Sequence, residues 1–475
     1  MLMYQLVKQI NPNIFRGYDI RGVIDEDLNE DVYYTLGRAY ATFLAARRIK
    51  EAAVGRDNRR NGEIYSKAII QGLNDGGIDT IDIGLSLSQI VYFSSYEYKT
   101  KGGVMISASH NPGNYNGLKL SVGYSDTMIS EEIIEMRELA KAGKFSEGQG
   151  KNRQDDIFPS YLKNLLKLFS LKKNWKIVID TCNATGGMFY PEIFRQAGCT
   201  VYEQNTNLDS NYPLGDPDPT ESKVLERLAE GVKKHQADLG FAFDADGDRM
   251  SVVDDQGQIL WMDVIVALFA QDVLETLPGS PIVYNTLCSR VVTESIIAAS
   301  GKPLMWVTGH SFIKAKVKEA RAPFGGELSG HIFFMDNFYG HDDGAYACLR
   351  LLSYLERKEQ KLSQLVAKLP KYISSPEIKF GLADDIKFKF IEEVITREFK
   401  EHWPTADYID IDGIRMDMDG QMAIIRASQN GPYATIKFEA KTKADYDTLK
   451  KTIKAILSKH KEIDFTKGVN IEALD

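Results

Sequence analysis

The sequence predicts an α/β protein, built from three related mixed-sheet α/β domains followed by a C-terminal α+β domain. Three observations carry this. Apolar runs of strand length alternate with helical patterns through most of the chain. Three of those runs end in a Gly- or Asp-rich polar loop before the next helical pattern begins. Beyond Leu369–Glu377 the pattern changes to strands joined by tight turns, with helical segments on either side.

In chain order, Ala52–Asn58 (AAVGRDN) reads as a strand and loop ahead of a helix around Ile64–Asn74. Gly103–Leu120 starts as an apolar strand and turns polar at Ser107. Lys141–Asp156 is polar, glycine-containing and without periodicity, so it reads as a linker. Trp175–Asp180 (WKIVID) leads through TCNATGG into a helix. Ala237–Phe243 is a strand, and DDQG at Asp254–Gly257 is a turn. Pro281–Tyr284 leads into a helix beginning near Val291. Strands alternating with helices in this way argue for βαβ units. Asp412–Ala440 then reads as strands with tight turns, flanked by helices near Phe388–Trp403 and Ala444–His460. The boundaries that follow are 1–152, 153–257, 258–370 and 371–475.

Composition limits the function. Of 475 residues, 43% are hydrophobic and 26% charged, which is the balance of a globular chain and not of a disordered one. The net charge of −8 argues against nucleic acid or a membrane surface as partner. An anionic ligand would have to be held by particular Lys and Arg side chains. Cys182, Cys199, Cys288 and Cys348 form no CxxC pair and read as reduced, buried thiols. The N-terminus is a poor signal peptide and no stretch approaches the ~18 apolar residues of a membrane span. The expected compartment is the cytoplasm.

Four loops carry chemistry. Asp244-Ala245-Asp246-Gly247-Asp248-Arg249 follows a strand. Three carboxylates at alternate positions repel one another, and a hard divalent cation with oxygen ligands is the natural compensation. An EF-hand fits poorly, because Arg249 stands where the turn glycine belongs. An Arg beside a metal suits a phosphate. Ser109 and His110 end a strand, Asn111-Pro112-Gly113 and Asn116-Gly117 force turns, and Lys119 returns at the far side. Such a pair is by itself only a turn. It becomes a catalytic candidate because a metal site and phosphate-suited cations also occur in the chain. Gly325–His331 (GGELSGH) offers Glu327, Ser329 and His331 to sugar hydroxyls. Arg426–Pro432 (RASQNGP) offers an arginine, a hydroxyl and amides to an anion.

Together FRGYDIRG, VGRDNRR, ASHNPGNYNGLK, DADGDR, TGHSFIK, GELSGH and RASQNGP resemble, in order, the motifs of the α-D-phosphohexomutase family, and most closely its phosphomannomutase/phosphoglucomutase branch. The resemblance spans nearly the whole chain. It implies four domains around a central cleft and a phosphoserine at Ser109. It implies Mg²⁺ held by Asp244, Asp246, Asp248 and an oxygen on Ser109. Arg21, His110, Lys119, Arg249 and His331 match groups around the transferring phosphoryl. Tyr18, Glu327, Ser329 and His331 match sugar-binding positions, and Arg426, Ser428 and Asn430 match the loop that grips the other phosphate.

The implied activity interconverts hexose 1- and 6-phosphates, of mannose and also of glucose, through a hexose 1,6-bisphosphate that is also the activator. The implied partners are small sugar phosphates, and the chain is expected to be a monomer or weak homodimer. Three departures stand out. Gln429 and Asn430 replace the family's Asn and Thr, Val307 replaces a common lysine, and Leu328 replaces a more usual Met. His110, Lys119 and His331 remain alternatives for proton transfer. A phosphoglucosamine mutase, a metal phosphatase and a sugar-phosphate binding protein are the rival readings.

Overall fold

A computed structural model describes residues 4–429 and 431–475 of the chain. They group into two compact units, Met1–Ile259 with Gly330–Ser363, and Leu260–Ser329 with Gln364–Asp475.

The first unit contains a six-stranded mixed sheet. Its order is Ile20–Val23, Tyr115–Leu120, Gly102–Ile106, Glu51–Arg56, Asp79–Leu85 and Asn152–Gln154. Glu51–Arg56 runs parallel to both of its neighbours, while Tyr115–Leu120 is antiparallel to both of its own. All five residues of Gly102–Ile106 are buried, as expected of a strand covered on both faces. Helices Glu30–Ala46 and Gly62–Asp75 cross at Gly37 and Gly72. A Cβ at Gly72 would lie 2.4 Å from the Tyr34 carbonyl oxygen, so only glycine permits this approach.

A second sheet in this unit places Leu239–Phe243 between Lys176–Asp180, parallel, and Met250–Val253, antiparallel. Thr200–Gln204 lies parallel to Lys176–Asp180 on its other side. Helix Ser222–His235 buries Val224, Leu225, Leu228 and Val232 along one stripe, and Lys233, Lys234 and His235 complement the dipole of its last turn.

In the second unit Pro281–Asn285 lies parallel to both Lys302–Trp306 and Phe324–Gly326. The C-terminal part forms a seven-stranded sheet through Asp407–Ile409, Ile414–Met418, Gln421–Ala427, Tyr433–Ala440, Ile378–Gly381 and Asp464–Val469, with Ile373–Ser374 pairing to Tyr433–Ala440. Leu449, Ile453, Ile456 and Leu457 of helix Lys443–Leu457 pack into its core. The expected α/β and α+β division is therefore what the chain forms.

Two local readings differ. Asn152–Gln154, inside the expected linker, adds a sixth strand beside Asp79–Leu85. All three of its residues are exposed, so backbone pairing alone recruits it and no hydrophobic alternation announces it. The helix near Phe388–Trp403 is interrupted, with Phe390–Ile395 winding as a wider, π-type turn between Lys387–Lys389 and Thr396–His402.

Helix Gly344–Lys358 starts on Asp343, whose carboxylate accepts the Tyr346 N–H at 2.9 Å and the Tyr161 hydroxyl at 2.9 and 3.1 Å. Burial pushes the Asp343 carboxyl from 3.8 up to about 7, although those hydrogen bonds work the other way. The folded state thus binds a proton that the unfolded state releases near pH 4. The contribution of the protonated group is complete below pH 4 and is lost as pH rises through 7. The slope approaches about 1.4 kcal/mol per pH unit inside that window. Thermal unfolding of the wild type between pH 5 and pH 7.5 is expected to fall more steeply than that of Asp343→Asn, which keeps the capping oxygen. Parallel pH dependences would refute this.

Candidate active site

Strand Gly102–Ile106 delivers the chain to Ser109 at the end of the sheet. Ser109 sits in the left-handed region at φ 50°, buried, with its N–H donating to Ser107 Oγ at 2.7 Å. Its hydroxyl donates to Asp244 Oδ2 at 2.7 Å and lies 3.4 Å from His110 Nδ1. Arg21, on Ile20–Val23, reaches the same loop. Its Nη1 donates to the Ala108 carbonyl at 3.1 Å and to Asn111 Oδ1 at 2.6 Å, while Asp19 aligns the guanidinium at 2.7–2.8 Å. Tyr18 is buried next to this pair.

Strand Leu239–Phe243 delivers Asp244, Asp246 and Asp248, all buried, with oxygens of the three carboxylates within 4.8 Å of one another. Lys119 enters from Tyr115–Leu120, its Nζ 2.7 Å from Asp246 and 2.5 Å from Asp248. Burial opposes its charge, yet the carboxylates hold the ammonium well above the usual lysine range. Burial also pushes Asp244 up to about 6, against the pull of Arg249, and Asp248 up to about 7, with the charge on Asp246 adding to it. At Asp246 burial is outweighed by Lys119 and by the Ser88 hydroxyl at 2.6 Å, so this carboxyl stays well below the usual range.

Arg249 Nε donates to Asp244 Oδ2 at 2.8 Å, and its Nη1 stands 3.5 Å from Asp218. His331 Nδ1 is 2.7 Å from Asp342 Oδ2 and 3.8 Å from Asp248 Oδ1. Gly330 makes that placement possible. At φ 94° its own carbonyl accepts the Met250 N–H, and a Cβ there would lie 2.3 Å from the Met250 oxygen.

The three aspartates fit a hard divalent cation. Asp246 Oδ1 and Asp248 Oδ1 are buried with no hydrogen-bond partner, although such oxygens are costly to leave unpaired. Oxygen-only ligands from carboxylates and a hydroxyl are the set a magnesium-like ion takes.

The first unit thus gathers Ser109, His110, Lys119, Arg21, Tyr18, Arg249, His331 and the three aspartates. The second unit holds the remaining candidates. Glu327 is buried and accepts the Gly309 N–H at 2.8 Å, ahead of helix His310–Glu319, and Ser329 is half-buried. Arg426 ends strand Gln421–Ala427, with its Nε donating to Asp412 Oδ2 at 2.7 Å. Ser428 is buried, its N–H donating to the Tyr433 carbonyl. Asn430 lies outside the described residues.

Several participants carry no sequence signal of their own. Asp412 accepts from Arg426, from the Thr308 N–H at 2.9 Å and from the Thr286 hydroxyl at 3.1 Å, so it sets Arg426 against the segment that follows Val307. Asp342 orients His331, Asp218 faces Arg249, and Ser88 joins Lys119 to Asp246. Each acts through a partner outside its own loop, from 11 positions away for Asp342 to 158 for Ser88. Only a pairing of motifs in space would reveal them.

Comparison with known proteins finds similar chains over nearly the whole length. Models of phosphoglucomutase/phosphomannomutase α/β/α domains I, II and III match residues 12–146, 159–257 and 261–372. A phosphomannomutase/phosphoglucomutase of Pseudomonas aeruginosa is 37% identical over 438 residues, covering 92% of this chain and 94% of its own. A phosphoglucomutase of Neisseria gonorrhoeae is 35% identical over 94% of this chain and 97% of its own. The crystal structure of a phosphoglucomutase/phosphomannomutase family protein from Burkholderia thailandensis is similar with a TM-score of 0.86 at 32% identity, over 94% of this chain and 98% of that one.

Proposed function

Because the chain belongs to the phosphoglucomutase/phosphomannomutase family and is a hexose phosphate mutase, we propose that it interconverts the 1- and 6-phosphates of mannose, and also of glucose, through a phosphorylated Ser109. The observation that carries this is the buried Ser109 hydroxyl 2.7 Å from Asp244, beside two cations that cost energy to bury, Lys119 and Arg249.

In this reading the Ser109 phosphoryl passes to the free hydroxyl of a hexose phosphate. The P–Oγ bond breaks, the sugar oxygen bonds to phosphorus, and the hydroxyl proton moves to a neutral base. The hexose 1,6-bisphosphate so formed returns its other phosphate to Ser109. The same bisphosphate primes unphosphorylated enzyme. Lys119, 2.7 Å from Asp246 and 2.5 Å from Asp248, supplies positive charge beside the moving phosphoryl. His331 is oriented by the Asp342 carboxylate, as suits a general base. Asp244, Asp246, Asp248 and a Ser109 oxygen would hold Mg²⁺, which when bound neutralises charge on the moving group. Arg426 and Ser428 are assigned to the second phosphate, and Glu327 and Ser329 to sugar hydroxyls. We assign the protein to the cytoplasm, as a monomer or weak homodimer.

A coupled assay on mannose 1-phosphate and glucose 1-phosphate, with Mg²⁺ and a trace of the bisphosphate, tests the reading. Conversion to the 6-phosphates is expected, lost on chelation and restored by Mg²⁺. Steady release of inorganic phosphate in place of conversion, or turnover confined to glucosamine phosphate, would overturn it.

A further inference from the structure

The segment VGRDNRR is a motif that phosphotransfer leaves without a task. It continues strand Glu51–Arg56, and its Arg59 is buried. We propose that Arg59 is the positioning residue of the Ser109 nucleophile, gathering the carbonyls of the serine loop and thereby fixing the direction of Oγ. The inference rests on the phosphoserine reading above.

The geometry is convergent. Arg59 Nη2 donates to the carbonyl oxygens of Ser109 and Asn111, both at 2.5 Å. Its Nη1 donates to those of Pro112 at 2.7 Å and Tyr115 at 3.2 Å. Four carbonyl dipoles turned toward one point repel one another unless a cation with several donors sits there. A planar guanidinium fork meets that need, and a single ammonium does not. Asp57 aligns the fork, with Oδ2 3.3 Å from Nε and Oδ1 accepting the Arg59 N–H at 2.9 Å.

The bond to Ser109 matters most. A residue with a Cβ at φ 50° persists only where its surroundings over-determine it. Ser107 holds the peptide before Ser109 and Arg59 holds the one after it. The same segment faces the part of the unit that carries Asp244. Asn58 N–H donates to Thr185 Oγ1 at 2.8 Å and Asn58 Nδ2 to the Asn183 carbonyl at 3.0 Å. Arg59 therefore ties the nucleophile to the element that registers one sheet against the next.

The test compares wild type, Arg59→Lys and Arg59→Met as full chains with Mg²⁺ and the hexose phosphate that the wild type turns over. A nucleophile displaced by about 1 Å loses roughly 10²-fold in rate. Arg59→Met is expected to show such a fall in kcat with KM close to wild type, and Arg59→Lys to recover part of it. The phosphorylated variants, kept without sugar, are expected to lose their phosphate to water faster, relative to turnover, than the wild type. In that side reaction water attacks phosphorus, the P–Oγ bond breaks, and Ser109 Oγ takes a proton from the water. If Arg59→Met does not fold, Asp57→Asn replaces it and is read by the same kcat and hydrolysis measurements. Wild-type kcat in the variants, or a loss that only tracks the folded fraction by circular dichroism, would overturn the proposal. A wild type that carries no phosphate on Ser109 would overturn the phosphoserine reading itself, and is seen before any variant is made.

Discussion

Replacing Ser109 with alanine is expected to lower kcat at least about 10⁴-fold, because it removes the atom that carries the phosphoryl group. The fold should survive. Alanine and serine share the Cβ that already stands at φ 50°, and the hydrogen bond lost to Asp244 is worth only about 1 kcal/mol. Arg59 and Arg21 bond the loop through backbone carbonyls and Asn111, none of which the substitution touches. Two measurements separate chemistry from folding. Intact mass should show one phosphate on the wild type, discharged by hexose phosphate, and none on the alanine variant. The melting temperature should change little. Full turnover by the alanine variant would exclude Ser109 as phosphoryl carrier.

The parts of the site that were legible in the sequence are those whose chemistry is local. DADGDR places three carboxylates within five residues at a strand end, and the chain has few ways to bury them without a counter-charge. ASHNP ends a fully apolar strand with a hydroxyl in a turn. Strand order was legible for the same reason, since an apolar run such as Trp175–Asp180 or Ala237–Phe243 is a property of a few adjacent residues. What escaped depends on distant partners. In the sequence Asp412 is only the start of a segment of strands and turns, whereas in the structure Thr308, 104 positions away, donates to it. VGRDNRR gives Arg59 no task of its own, whereas in the structure the carbonyls near Ser109 converge on it. The bond by which Glu327 also accepts the Gly309 N–H, 18 positions away, has no mark in its loop. Asn152–Gln154 pairs through backbone alone, so its polar sequence reads as linker.

The same cluster makes a prediction about metal and stability together. Lys119 is 2% exposed and lies within 2.7 Å of Asp246 and Asp248, whose side chains are fully buried. In metal-free protein it is the ammonium nearest those two carboxylates, and Asp248 already stands near 7 with Lys119 present. Lys119→Met keeps the length of the side chain and removes the charge. Breaking a buried ion pair from one side costs about 3–5 kcal/mol, because the remaining charge is left without compensation. The expected result in chelator is a marked loss of thermal stability, with Asp246 and Asp248 taking up protons as the pH falls and recovering part of it. A divalent cation restores positive charge to the same oxygens, so Mg²⁺ should raise the melting temperature of Lys119→Met more than that of the wild type. Activity should not return with stability. The ammonium also faces the phosphoryl group in the proposed reaction, and losing such a preorganised charge costs roughly 10²–10³-fold in kcat. Equal Mg²⁺ shifts in the two proteins would mean that Lys119 and the metal do not share these carboxylates. A Lys119→Met enzyme with wild-type kcat would remove the lysine from the reaction.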